Sequence, residues 1–375
     1  MNSATERARQ IFKNRHEYAQ EWKRKTGGKV IAYLCTYVPE EILYAAGALP
    51  VRCFGSHEPE SVSDPYVFGM YCPFCRDVMA QVLQGRYDYV DAVVKARSCI
   101  HIRNVWDCWI IERPASFCHY ISMPTYIQSP RAEAFLTQEL YDLKACLEEW
   151  LGVPISTEAL DNAIEIYNTN RRLLRDIWEY RKSDPPQISG VEALDLVLCG
   201  QVMDKKEHNQ LLEEFLGDLP SRDGVKAGLR VMLIGSENDD REFPELVESG
   251  AVNIVIEDSC TGTRYFWNDV IPGEDRIKSI SMRYIDRPPC PNKDYPERHR
   301  FSHIMSLIRD YDVQGVILYQ QKFCDPHEFD MPVLNKFLKN NDIPTLLLEL
   351  DLLVPRGQFS TRVEAFIETL ELEVL

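Results

Sequence analysis

The stretch from Tyr311 to Asp330 (YDVQGVILYQQKFCDPHEFD) constrains the fold more than any other. Its apolar run, Val316-Ile-Leu-Tyr319, starts after Gly315 and stops at polar residues. A run this short and without polar alternation is the signature of a strand buried on both faces. Lys322, Phe323, Cys324, Asp325, Pro326 and His327 follow at once. In open α/β sheets ligands bind in the crevice beyond the carboxyl ends of the strands. Cys324 is therefore expected to face a site and not a core.

The same kind of unit recurs along the chain. Residues 1–27 read as one helix with a basic end, stopped by Gly27-Gly28. Lys29–Leu34 and Leu49–Phe54 read as strands, with a helix opening at Pro39 whose first turn carries Glu40 and Glu41. A further helix is expected from about Pro73, then a strand at Asp91–Lys95 and a helix after Cys99. From Pro130 to about Phe215 the apolar residues recur at helical spacing (Leu136, Leu140, Leu143, Leu147), a bundle that packs on the sheets. Strands return at Leu229–Gly235, Asn253–Asp258 and Ile343–Leu350, with helices at Glu242–Ser249, Phe301–Arg309 and Thr361–Leu370. The expected fold is α/β: two Rossmann-like (flavodoxin-like) domains with largely parallel sheets, joined by a helical segment. The expected boundaries are 1–27 for the N-terminal helix, 28–127 and 228–375 for the α/β domains, and 128–227 for the helical segment.

A chain of 375 residues exceeds one ordinary core, which agrees with two domains. The net charge of −16 argues against nucleic acid, whose phosphates need a basic surface. No apolar run approaches the roughly 20 residues of a membrane span, and the polar N-terminus lacks the apolar segment of a signal peptide. A cytoplasmic protein that binds neither nucleic acid nor membrane is expected.

Twelve cysteines are many for such a chain, and they are not clustered as in a disulfide scaffold. Cys146, inside a helical run, is expected to be a buried apolar residue. Cys35, Cys72, Cys99, Cys260 and Cys324 instead sit at strand ends or helix starts, and Cys75 follows Cys72 by one turn. A Cys72 at a helix start has backbone N–H groups and the helix dipole to favour its thiolate. The wide separations exclude a compact CxxC…CxxC zinc module, leaving a site assembled from strand ends in two domains. An iron–sulfur cluster on three thiolates suits that arrangement, with zinc as the competing metal. Cys72-Pro-Phe-Cys75 also has the form of a thioredoxin-type CxxC, which nothing else supports. Glu207, His208 and Glu213–Glu214 are expected on a solvated helix face. No GxxxxGK[ST] loop is present and no GxGxxG follows a strand, so nucleotide binding belongs elsewhere.

The motifs CPFCRDV, ARSCIHIRNVWDCW, EDSCTGTRYFW, RPPCP and QKFCDPHEFDMPVL before IPTLLLELD, in that order, resemble the benzoyl-CoA reductase / 2-hydroxyacyl-CoA dehydratase family. The resemblance runs from CTYVPEEILYAAGALPVR to the closing helix. Within the family it is most similar to the smaller cluster-bearing subunit of ATP-dependent benzoyl-CoA reductase. It implies a [4Fe-4S] cluster on Cys72, Cys99 and Cys324, although Cys75 departs from the usual pattern and competes with Cys72. It further implies a paralogous cluster-bearing subunit, an ATP-hydrolysing iron–sulfur electron donor, and an aromatic acyl-CoA substrate such as benzoyl-CoA. Cys260 and Cys290 then read as packing or surrounding groups. Arg76, Arg97, Arg103 and Lys322 are candidate stabilisers of the reduced site, or surface ion pairs. His101 and His327 are candidate proton donors, or structural histidines, and no catalytic base is assigned. The expected activity is reductive dearomatisation of the acyl-CoA to a cyclic dienoyl-CoA. Elimination of water from a 2-hydroxyacyl-CoA, or a non-catalytic cluster-carrying scaffold, are the alternatives.

Overall fold

The computed structural model describes residues 3–58 and 61–374. Two helices, α1 (Ala4–Lys13) and α2 (Arg15–Thr26), occupy the N-terminus. The single helix expected there is broken at Asn14, whose backbone (φ −103°, ψ 32°) leaves the helical region and caps both pieces. Gly27 ends α2 at φ 68°, a left-handed position where the absence of Cβ removes the penalty.

The first sheet follows: β1 (Val30–Leu34), α3 (Glu40–Ala45), β2 (Leu49–Arg52), α4 (Pro73–Leu83), β3 (Ala92–Ala96), α5 (Ile100–Glu112) and β4 (Phe117–Ile121). Four helices come next, α6 (Ala132–Leu151), α7 (Thr157–Glu179), α8 (Gly190–Cys199) and α9 (Lys205–Asp218). The second sheet is built from β5 (Leu229–Gly235), α10 (Glu242–Glu248), β6 (Val252–Asp258), the single turn α11 (Thr263–Phe266), α12 (Arg276–Asp286), α13 (His299–Asp310), β7 (Gly315–Gln321), α14 (Asp325–Lys339), β8 (Thr345–Leu350) and α15 (Arg356–Val374).

The strand orders are β2-β1-β3-β4 and β6-β5-β7-β8, and every pairing is parallel. The α/β class with two Rossmann-like parallel sheets is thus observed. The two orders are the same, so each sheet reverses direction between its first and third strands, β1/β3 and β5/β7. That is the switch point at which doubly wound sheets leave a crevice.

Side-chain alternation along each strand separates the cores. Ile31 and Tyr33 of β1 pack with Leu136 and Leu140 of α6, while Val30, Ala32 and Leu34 pack with Val78 and Met79 of α4 and Trp109 of α5. In the second sheet Val231 and Leu233 meet Phe243 of α10 and Phe359 of α15, and Met232 and Ile234 face the helices between the sheets. Each fully buried aliphatic or aromatic side chain contributes about 1.5–3 kcal/mol.

Helix α12 has no counterpart in the sequence reading. Although it lies between strands of the second sheet, Ile277, Ile280 and Tyr284 bury against the first. Two residue-level expectations are corrected. Cys146 is only partly buried, one position from the core-facing stripe of Leu143 and Leu147, whereas Cys53, Cys72, Cys75 and Cys199 are buried. His208 is fully buried and not solvated, because Nδ1 meets the Asn170 amide at 2.7 Å and Nε2 meets the Leu196 carbonyl at 3.0 Å. Glu207, Glu213 and Glu214 are exposed as expected.

Candidate functional site

The carboxyl ends of the two sheets face one another across a cavity of about 70 Å³. Cys35 leaves β1, Ser98 and Cys99 follow β3, Ser236 and Glu237 follow β5, Cys260 follows β6, and Gln321 ends β7 ahead of Cys324. Both switch points therefore open onto the same space. With Cys72, Cys75 and Cys290 added, seven of the twelve cysteines line it.

Cys72, Cys99 and Cys324 each occupy the N-cap position of a helix, α4, α5 and α14 respectively. Pro73 and Pro326 stand in the first turns of α4 and α14, where the missing N–H is harmless and the fixed φ suits a helix start. The Cys99 sulfur accepts from the Ile102 N–H at 3.5 Å. Three helix N-termini, with their unpaired N–H groups and positive dipole ends, thus converge on one cavity and favour negative charge in it. Cys35 and Phe323 hold left-handed backbones (φ 79° and 60°) directly beyond β1 and β7. Such strain in residues other than glycine persists where the surrounding structure enforces it.

The thiols are unequal. The Cys75 thiol donates to Cys72 and holds it down to about 6, against burial and with the help of His101. Cys75 is pushed up, first as the donor in that bond and then by burial. Burial pushes Cys99 up to about 12 and also raises Cys324, each further opposed by the charge of Cys72. Ordinary burial makes these thiols poor anions, so a bound cation is what would bring all of them to the thiolate state.

No three His, Cys, Asp or Glu side chains among the described residues are arranged to grip a single metal ion. The sulfurs frame a space instead of a point. Several polar atoms around it lack partners: both ring nitrogens of His327, Oγ of Ser98 and Oε1 of Gln321. A wall carrying seven cysteines and several unmatched polar atoms fits a sulfur-rich inorganic group larger than one ion.

Sequence reasoning did not single out the charges at this wall. Arg52, 2% exposed, pairs with Glu237 and donates to the Cys260 carbonyl at 3.0 Å. It joins the end of β2 to the segment after β5. Its signal, a lone arginine at the end of an apolar strand, is weak without the partner 185 positions away.

Of the cations singled out, Arg97 and Arg103 line an adjoining pocket of about 700 Å³, which shares Ser98, Cys99 and Pro326 with the cavity wall. Lys95 joins them there, lying 4.3 Å from the Tyr120 ring centroid and lowered to about 8 by burial. Arg76 and Lys322 are in ion pairs, with Asp64 at 3.3 Å and Asp351 at 2.7 Å. His101 accepts the Cys72 N–H on Nδ1 at 3.2 Å and turns Nε2 toward Asp325, 3.9 Å away.

Comparison with known proteins agrees with this architecture. A protein-family model described as 2-hydroxyglutaryl-CoA dehydratase, D-component, matches residues 35–370. A benzoyl-CoA reductase subunit of Thauera aromatica is 28% identical over 334 residues, covering 87% of this chain and 86% of that protein. The (R)-phenyllactyl-CoA dehydratase beta subunit of Clostridium sporogenes is 25% identical, covering 96% of each chain. The beta subunit of (R)-2-hydroxyglutaryl-CoA dehydratase from Acidaminococcus fermentans is 25% identical, covering 92% of this chain and 93% of that one.

Proposed function

This chain belongs to the 2-hydroxyglutaryl-CoA dehydratase D-component family, and from that membership we propose that it is the iron–sulfur subunit of a benzoyl-CoA reductase acting on an aromatic acyl-CoA. The observation that carries the reading is the cavity of seven cysteines at which three helix N-termini meet. We assign Cys72, Cys99 and Cys324 as the ligands of a [4Fe-4S] cluster, because these three cap the helices and lie in both halves of the chain. A cluster with three protein thiolates supplies single electrons at low potential, down to about −700 mV.

The protein's own part is to hold, screen and orient. Phe74, Ile102 and Pro326 give the cavity an apolar lining that keeps water from the site. The helix ends and the buried Arg52–Glu237 pair fix the local field without solvent reorganisation. In the adjoining pocket, Lys95, Arg97 and Arg103 offer positive charge to the phosphates of an acyl-CoA. Its thioester end then points toward Ser98 and Cys99, the residues common to both compartments.

A paralogous subunit and an ATP-hydrolysing electron donor complete the assembly in this reading. Dehydration of a 2-hydroxyacyl-CoA is the second reading, favoured by the dehydratase beta subunits that match over almost the whole chain. Anaerobic assay of the assembled complex with benzoyl-CoA and with a 2-hydroxyacyl-CoA separates the two. Dearomatisation with no water elimination supports the reductase, and the reverse result replaces it with the dehydratase.

A further inference from the structure

His327 lies in the first turn of α14, its backbone N–H bonded to the Cys324 carbonyl at 2.9 Å. The side chain is 1% exposed and forms part of the cysteine cavity wall. Both ring nitrogens are buried and neither has a hydrogen-bond partner among the described residues. Leaving such groups unmatched is costly, so a buried ring with both nitrogens open points to a partner inside the cavity.

The charged groups acting on the ring are the guanidiniums of Arg264 and Arg300, and burial keeps the imidazole neutral. A guanidinium only donates, whereas a neutral imidazole has one acceptor nitrogen and one N–H. Arg264 and Arg300 each carry buried N–H groups without partners, Nη1 and Nη2 respectively. Among the described residues neither ring nitrogen bonds these guanidiniums, so the N–H of the neutral ring is free for a partner in the cavity that the side chain lines. Seven cysteines line the same cavity.

We propose that His327 donates its ring N–H to a sulfur of the group held by Cys72, Cys99 and Cys324, and so sets that group's reduction potential. The proposal rests on the iron–sulfur reading above. Hydrogen bonds to cluster sulfurs are among the determinants of potential. A donor at this place stabilises the electron-rich reduced state, so its loss makes reduction harder.

The test uses the full chain, assembled with its partner subunit under anaerobic conditions, as wild type, His327→Leu and His327→Gln. Iron and acid-labile sulfide are measured first, then the midpoint potential by redox titration followed by electron paramagnetic resonance. All three proteins are expected to carry the same iron and sulfide. At fixed poise the reduced-to-oxidised ratio should fall about tenfold in His327→Leu, about 59 mV for one electron, and return toward wild type in His327→Gln, which keeps an N–H. Wild-type protein labelled with ¹⁵N-histidine should show a weak ¹⁵N coupling to the reduced centre. His101, beside Cys72, carries the same label, so a coupling present in wild type and lost in His327→Gln decides the matter if the leucine variant fails to fold. An unchanged potential in a fully loaded leucine variant overturns the His327 assignment and leaves the iron–sulfur reading standing. Absence of the ¹⁵N coupling, or a coupling strong enough for a nitrogen bonded to iron, overturns it as well. Wild-type protein without sulfide overturns both.

Discussion

Replacing His57 by Asn should remove a pH-dependent clasp between the segments that follow β2 and β5. The His57 ring meets the Asp239 carboxylate at 3.0 Å through Nε2, with Asp240 3.9 Å from Nδ1. Asp239 also accepts from the Gly55 N–H at 2.6 Å. Burial alone would lower the pKa of His57, but the charge of Asp239 and the hydrogen bond to it outweigh burial, and Asp240 and Asp77 add to them. The result is a rise from 6.5 to about 10. At about 1.36 kcal/mol per pH unit, and with allowance for water reaching a side chain that is 25% exposed, the pair contributes about 3–5 kcal/mol. Because the folded-state pKa is the higher one, this stability is complete below about 6.5 and is lost as pH rises through about 10. Asparagine tolerates the left-handed backbone at this residue, φ 57°, so the substitution reports mainly on the charge. Urea midpoints of wild type and His57→Asn, measured from pH 6 to pH 10, should show a wide gap at the acidic end that narrows by about 3–5 kcal/mol at the alkaline end. A gap independent of pH would refute the reasoning.

Glu237→Ala leaves the Arg52 charge buried and unpaired, which should cost about 3–5 kcal/mol; a loss below about 1 kcal/mol in a denaturation midpoint would mean that water solvates the guanidinium. Cys99→Ala and Cys324→Ala should each abolish iron and sulfide in anaerobically purified protein, while Cys146→Ala, on a different helix and away from the cavity, should keep both; full iron in the Cys324 variant would show the ligand to be misassigned. Removal of a bound group should lower hydrogen-exchange protection across residues 71–76, 97–103 and 322–328, and change little within β5, whose Val231–Ile234 stretch is packed by apolar side chains on both faces. Uniform loss of protection throughout the chain would show the two sheets to be one cooperative unit.

Strands announced themselves where apolar residues were dense and turn residues sharp. Val316–Tyr319 lies wholly within β7, and β5 has the expected bounds, because a strand buried on both faces needs an unbroken apolar run. The helix start after Cys72 was legible from Pro73, and Cys99 caps its helix as its junction position implied. Helix α12 was not legible: its apolar residues Ile277, Ile280 and Tyr284 are interleaved with Lys278, Arg283 and serines, and their partner surface lies on the other sheet. His208 misled because Glu207 and Glu213 describe the solvent side of α9, whereas its buried side is a hydrogen-bond network with Asn170 and Asn209. Cys72, Cys99 and Cys324 do line one cavity. Cys35 and Cys260 share it, as their strand-end positions suggested, with Cys75 one turn from Cys72 and Cys290 also in the wall; that all seven converge was beyond the reach of spacing, since it is a property of the assembled sheets.

The wall of that cavity is drawn from the whole length of the chain, and this has a consequence for synthesis. Cys99 and Cys324 are 225 residues apart. At about 5–20 residues per second, roughly 10–45 s pass after Cys99 leaves the ribosome before Cys324 and His327 can close the site. Throughout that interval the early cysteines stand beside an unfinished pocket, one of them with a thiol pKa held down to about 6 in the completed fold. A group held jointly by Cys72, Cys99 and Cys324 would bind only once Cys324 has been made, 225 residues after Cys99, so its loading would be a late step of maturation.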